Sequence, residues 1–442
     1  MQRYSRYKDT GVLALGSIPA TWHVKRAKYL FREINERSAD GSETLLSVSE
    51  YYGVKPRSES IADNENLSRA ETLEGYKKCS KDDFVMNIML AWKCGHGVTN
   101  YDGIVSPAYS VFRPDKSKIV PQYAHYLSRT PMYTKYFKTL STGIIDSRLR
   151  LYPDKFGTIF YILPPIEEQR AIATFLDRET ARIDNLIAEK QTFIKLLKEK
   201  RQALISHLVT KGLDPNVKMK DSGIEWIGEV PEGWYLARVK QVSSFITSGP
   251  RGWSDFIDEN GNSVFLQSGD LNNNLGLELK KAKRVSPPEG AEGVRTRLLN
   301  GDVVVCITGA NTGRVAIAED IDETVYINQH LSLIRPKPKT LRSKFLAYFL
   351  SSDAGSKYYA VTQYGLKEGL SLKNVAETPL AFPTLEEQEK IERRLDSDLR
   401  KSTELLESVM QSIEFLREHR TALISAAVTG KIDVRNHKED AA

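Results

Sequence analysis

Cysteine is scarce. There are three in 442 residues, Cys79, Cys94 and Cys306, widely spaced and without a Cys-x-x-Cys pair. That argues against a disulfide framework and a cysteine-rich zinc site. Long apolar runs are missing too. The densest, Phe84–Trp92, spans nine residues and contains Asn87, far short of the ~20 that cross a bilayer. The first ten residues are polar, unlike a secretory leader, so the expected location is cytoplasmic, with no membrane contact. Catalytic signatures are absent as well. Gly309–Arg314 has neither the spacing nor the Lys of a phosphate loop. No glycine fingerprint for dinucleotides appears. The seven histidines form no metal-binding pattern. Pro164-Pro165 lacks the flanks of an amino-methyltransferase motif, and the acidic residues form no paired-carboxylate signature. A self-contained catalyst is not expected.

What the chain does contain is itself, twice. Asp9, Gly11, Gly16, Pro19, Trp22, Arg26 and Lys28 match Asp221, Gly223, Gly228, Pro231, Trp234, Arg238 and Lys240 at an offset of 212. Pro164–Gln169 matches Pro383–Gln388 as Pro-x-x-Glu-Glu-Gln, at an offset of 219. That register persists to Ala203–Ser206 against Ala422–Ser425, and to Val209-Thr210 against Val428-Thr429. Between these anchors the likeness thins to fragments. Asp82–Met86 resembles Gly301–Val305, and Phe112–Pro114 resembles Ile334–Pro336. The chain therefore alternates variable domain, constant segment, variable domain, constant segment.

The constant segments are predicted to be long helices. Residues 167–208 contain no Gly or Pro and are rich in strong helix formers. Apolar residues recur at Ile172, Leu176, Ile183, Leu186 or Ile187, Ile194, Leu197, Leu204 and Leu208, a heptad-like seam. Residues 386–428 repeat the pattern, with Ile391, Leu395, Leu405, Val409, Ile413, Leu416 and Leu423 on the seam. Gly212 and Gly430 are the stop signals. A helix of this length, ~63 Å at 1.5 Å per residue, cannot bury its stripe alone. Antiparallel pairing is expected, placing the variable domains at opposite ends of a ring with a pseudo-two-fold axis.

The variable domains mix short β-rich runs with Gly/Asn/Ser/Pro turns. Predicted strands include Phe84–Ala91, Ile104–Val111, Val303–Thr308 and His330–Ile334, and predicted helices Gln122–Leu140 and Ser343–Tyr359. The expected class is α+β, with curved mixed sheets. The net charge of +6 is uneven: about +7 falls within residues 1–166, while residues 213–384 balance. Both domains carry Gly-rich loops with donors suited to phosphates and base edges. In the first these hold Tyr51, Tyr52, Lys55 and Arg57, then Lys93 and His96, then Arg148. In the second they hold Ser248, Arg251 and Trp253, then Asn311, Thr312 and Arg314, with Gln267 and Lys367 added.

The two Pro-x-x-Glu-Glu-Gln motifs, the two Ala-Leu-Ile-Ser…Val-Thr exits and the paired Gly…Pro-x-x-Trp starts resemble those of the DNA-specificity subunits of type I restriction-modification systems. The resemblance covers nearly the whole chain. It implies two target-recognition domains, 1–165 and 213–384, with spacer helices at 166–212 and 385–433 and a tail at 434–442. It also implies a non-catalytic subunit that reads a bipartite site in double-stranded DNA. Two methyltransferase subunits and two restriction motor-nuclease subunits are the implied partners. They would bring the S-adenosylmethionine, ATP and magnesium sites, leaving this chain with no cofactor. The base contacts do not transfer residue by residue, so the fifteen loop residues named above stand as this chain's own candidates. Two other readings are a standalone DNA-modifying enzyme and a coiled-coil assembly protein. Methyl transfer or cleavage by the chain alone would mark the first. Absence of salt-sensitive duplex binding would mark the second.

Overall fold

The computed structural model describes residues 2–59, 72–287, 290–363 and 369–435. The chain forms two compact units, Met1–Lys190 with Gln411–Ala442, and Gln191–Met410. The first is made of two stretches of chain and the second of one, and both long helices contribute to each.

The first unit is built on a four-stranded antiparallel sheet. Its order is Phe31–Ile34, Tyr109–Pro114, Phe84–Asn87, His96–Val98. Alternate side chains serve two cores, as a two-residue period requires. Phe84, Met86 and Phe112 join the aromatic cluster of Phe31, Phe137, Phe156 and Tyr161, while Val85 and Val111 join Leu46, Val48 and Val54. That second core lies under a hairpin, Leu46–Ser49 with Gly53–Pro56, and a strand pair, Lys77–Cys79 with Gly103–Val105.

In the second unit the order is Ser243–Ser248, Leu331–Pro336, Val303–Cys306, Val315–Ile317. Beside it sits a three-stranded sheet, Lys283–Val285, Ser263–Leu266, Val325–Ile327, whose last pair is parallel. Among the described residues, the first unit's parallel pairing is an isolated bridge, Leu45 to Ile104.

Several predicted elements are cut shorter. The strand from Phe84 ends at Asn87, whose side chain accepts from the Met89 N–H and starts a turn. Ile104–Val111 is two strands, Gly103–Val105 and Tyr109–Pro114, parted at Pro107. Each predicted domain helix is also a pair. Pro131, with Thr130 capping it, restarts the first as Pro121–Ser128 and Pro131–Leu140. Ser352 caps the restart of the second, Ser343–Ser351 and Asp353–Thr362.

The long helices run Ile166–Lys211 and Leu385–Val428. Glu167-Glu168 and Glu386-Glu387 occupy their first turns, where the helix dipole favours anions. Gly212 and Gly430 follow at φ +76° and +72°, the left-handed closure that glycine permits. In the first unit Ile172, Leu176 and Ile183 meet Leu423, Ala427 and Val428 in one core, and Arg420 pairs with Asp184 at 2.9 Å. In the second, Ile205, Leu208 and Val209 meet Ile391, Leu395 and Leu399, and Arg201 donates to Thr403 at 3.1 Å. In each unit the start of one helix therefore lies against the end of the other, an antiparallel pairing. Among the described residues no helix is long and apolar enough to cross a membrane.

Candidate nucleic-acid interface

The repeated motifs build the support on which the variable loops stand. Gln169 is buried. Its Oε1 accepts from Val120 N–H at 2.8 Å, and its Nε2 donates to the carbonyls of Pro164 at 2.9 Å and Lys118 at 3.2 Å. Gln388 repeats the clamp on Arg342 N–H at 2.8 Å, Pro383 at 2.9 Å and Thr340 at 3.1 Å. An amide offers the acceptor and paired donors that three buried backbone groups need. The preceding carboxylate ties the domain's first motif to the helix. Trp22 Nε1 donates to Glu168 at 3.1 Å, and Trp234 Nε1 to Glu387 at 3.3 Å.

Even the weak fragments of the repeat carry a bond. Arg113 grips buried Asp83 through Nε and Nη2, both at 2.9 Å. Arg335 grips buried Asp302 in the same way, at 2.8 and 2.7 Å. Each fork staples two neighbouring strands of the four-stranded sheet.

In the second unit the strands ending at Ser248, Leu266, Cys306 and Ile327, and the one beginning at Leu331, bring their loops to one edge. Gly249 passes so close to this edge that a Cβ there would lie 2.1 Å from the Ile327 carbonyl. Four of the predicted contact residues meet here. Ser248 ends its strand, and Gln267 follows Leu266. Asn311 donates to Ser268 O at 3.1 Å, and Arg314 to Leu271 O at 3.0 Å. Thr312 closes its own turn on Gly309 O at 2.6 Å. Arg251 is exposed. Arg314 is half-buried with one guanidinium nitrogen committed to backbone, so it orders the loop as well as facing it.

In the first unit the loops are joined by a residue that the sequence reading passed over. Arg129 donates to the carbonyls of Cys94 at 2.7 Å, His96 at 2.6 Å, Glu50 at 2.8 Å and Tyr51 at 3.2 Å. It locks the hairpin turn to the loop around Lys93. Tyr51 is 85 % exposed. Lys55 Nζ lies 5.7 Å over the Tyr52 ring, and Lys93 and Lys138 both lie 5.0 Å over Trp92. Arg148 is exposed, and Arg57 is half-buried.

Two candidates need correction. His96 is fully buried, with its ring 4.9 Å from Phe137 and Nε2 donating to Ser128 O at 3.1 Å. Burial pushes its pKa down to about 3, with Arg129 adding to the shift. Trp253 is also a core side chain, packed among Phe265, Val285 and Tyr326, its ring edge-on to Tyr326. Neither reaches a ligand at the surface. Lys367 lies outside the described residues. Missed were Arg129 and the exposed pair Gln329-His330, which stand in the second unit's loop edge. His330 had been placed in a strand. It precedes the strand, held by the Asn328 side chain accepting its N–H at 3.0 Å. The polar triplet 328–330 between two apolar runs was the available signal.

Residues 231–414 match the family described as the type I restriction modification DNA specificity domain. The type I restriction enzyme MjaVIII specificity subunit of Methanocaldococcus jannaschii is 25% identical over 377 residues, covering 82% of this chain and 83% of its own. Among solved structures, a chain from work on complex assembly and conformational transition of the type I R-M system superposes with a TM-score of 0.71. It is 17% identical, covering 94% of this chain and 99% of its own. The HsdS subunit from Thermoanaerobacter tengcongensis gives 0.53, also 17% identical, covering 94% and 98%. Residues 231–414 thus match a type I restriction modification DNA specificity domain, and over most of its length the chain is similar to type I restriction enzyme specificity subunits.

Proposed function

We propose that this chain reads a bipartite DNA site and directs type I modification and restriction to it, without catalysing either reaction. The observation that carries this reading is the doubled support. Two units share the same clamps, Gln169 and Gln388, and the same forks, Arg113–Asp83 and Arg335–Asp302. Yet each holds different polar loops at its sheet edge. One support with two loop sets suits two half-sites of different sequence. In the second unit the readers are Ser248, Arg251, Gln267, Asn311, Thr312 and Arg314, joined by Gln329 and His330. In the first they are Tyr51, Tyr52, Lys55, Arg57, Lys93 and Arg148. Such side chains meet base edges in the major groove and the phosphates beside them.

The domains 1–165 and 213–384 act as the two readers, and the segments 166–212 and 385–433 as the spacer. Each long helix runs from one unit into the other, so its length sets the base pairs between half-sites. Two methyltransferase subunits and two motor-nuclease subunits complete the assembly and carry S-adenosylmethionine, ATP and magnesium. The work is done on cytoplasmic DNA.

The test is the set of methylated adenines in DNA from a host carrying this chain and its partners. Inserting one heptad within residues 186–200 should change the spacer and leave both half-sites as they were. Altered half-sites with an unchanged spacer would refute the ruler. Methylation by the purified chain alone would favour a standalone enzyme.

A further inference from the structure

The first unit carries a feature that base reading accounts for only at Arg148. Residues 142–150 form a closed finger. Thr142 N–H donates to Arg150 O at 2.8 Å, and Arg150 N–H donates back to Thr142 O at 2.9 Å. Gly143 lets the loop close, since a Cβ there would lie 2.7 Å from the Arg148 carbonyl. Below the base, buried Leu149 and Leu151 anchor the chain, and Leu151 N–H donates to Ile88 O at 2.9 Å. Asp146 pairs with Lys138 at 2.8 Å, fixing the flank. At the tip Ile144 is 100 % exposed, with Ile145 beside it at 53 %. A preformed loop that holds an isoleucine wholly in water presents that side chain to something.

The surroundings identify what. Lys138 and Lys93 share the Trp92 ring, and Arg148 stands exposed with no side-chain partner among the described residues. The finger's own acid, Asp146, is already committed to Lys138. Apolar wedges flanked by cations are how proteins unstack base steps and kink a duplex. An apolar protein surface would gain nothing from this ring of positive charge, whereas phosphates would.

We propose that Ile144, backed by Ile145, is a wedge that enters the duplex beside the first half-site and parts two base pairs. Lys93 and Arg148 hold the flanking phosphates. This rests on the DNA-reading role above and extends it: the chain deforms its site as well as reading it. A base that must leave the helix to be modified leaves a kinked, unstacked step at lower cost.

The experiment uses the full chain with its partner subunits and duplexes carrying 2-aminopurine at successive positions through the site. The wild type should raise fluorescence roughly threefold at one step next to the first half-site. Ile144→Ala with Ile145→Ala should abolish the rise while site-specific binding falls less than roughly tenfold, and Ile144→Phe should restore it. Specific binding by the wild type without a fluorescence change anywhere would overturn the wedge and leave the reading role intact. Loss of a partner subunit on Ile144→Asp, with the fluorescence rise retained by the Ala variants, would make the tip a protein contact and overturn it too. Absence of sequence-specific binding by the wild type would instead strike the reading role itself.

Discussion

The two units differ where they are free to and agree where buried polar groups leave no choice. Both hold a four-stranded antiparallel sheet, a glutamine clamp, a tryptophan–glutamate tie and an arginine–aspartate fork. Beyond that they diverge. The first covers its sheet with a hairpin and locks its loops through Arg129; the second adds a three-stranded sheet with parallel pairing. A buried hydrogen-bonding group tolerates little substitution, because each orphaned partner costs stability. A surface loop tolerates a great deal. Duplication followed by divergence thus leaves the support in place and lets the reading surfaces part.

The sharpest way to break this comparison is to break the forks. Asp83→Ala and Asp302→Ala should each cost about 4 kcal/mol, since each leaves an arginine and a backbone N–H without the carboxylate. The loss should stay within the mutated unit, as read by hydrogen exchange on the two sheets. Equal loosening of both units would mean that they fold as one.

The glutamine clamps come next. Gln169→Ala and Gln388→Ala should cost about 3 kcal/mol each in denaturant unfolding, with near-equal effects because the three bonds are the same. A clear inequality would show that the repeated motif is not energetically repeated.

Acid should separate the units. The pKa of His96 is about 3 in the folded state, well below its unfolded value. Its contribution is therefore complete above about pH 6.5 and is lost as pH falls from there toward 3; by pH 5 the loss reaches about 2 kcal/mol. His125, in the same unit, is pushed down to about 3 by burial beside Arg129 and adds in the same direction. In the second unit burial raises the pKa of Glu392, so ionisation opposes folding there and falling pH relieves it. Hydrogen exchange at pH 5 against pH 7 should show the first unit loosening selectively.

The smallest contrast concerns the tryptophan ties. Glu168 accepts from both Tyr4, at 2.6 Å, and Trp22, whereas Glu387 accepts from Trp234. Glu168→Ala should exceed Glu387→Ala by about 1.5 kcal/mol, the worth of one further hydrogen bond to a charged group. Indole fluorescence during unfolding would report each site.

Part of the support was legible in the sequence because the tryptophan–glutamate ties join residues of the repeated motifs, whereas the glutamine clamps reach Val120 and Arg342 outside them. The spacing of Pro164 to Gln169 lets a side-chain amide in the first turn of the helix reach back to the carbonyl just before it. The long helices were equally plain, since an unbroken run of helix formers with a regular apolar seam admits few other folds. The candidate contact loops were legible only in part. Ser248, Gln267, Asn311 and Arg314 meet because strands far apart in sequence, in antiparallel and parallel pairs, bring their loops to one edge, while His96 and Trp253 turn inward. A histidine or tryptophan in a Gly-rich loop reads alike in either role, and packing alone decides it. Arg129 was invisible because its partners are carbonyls, which every residue has.

The sequence by itself determined the duplication, the two helices and their stops at Gly212 and Gly430, because local propensity and motif spacing act over a few turns of chain. Only the tertiary structure decided which half of each helix serves which unit, which loop side chains face outward, and that Ile144 stands in water at the tip of a closed finger. Those outcomes depend on strand pairing and burial between residues tens to hundreds of positions apart, and no local pattern encodes them.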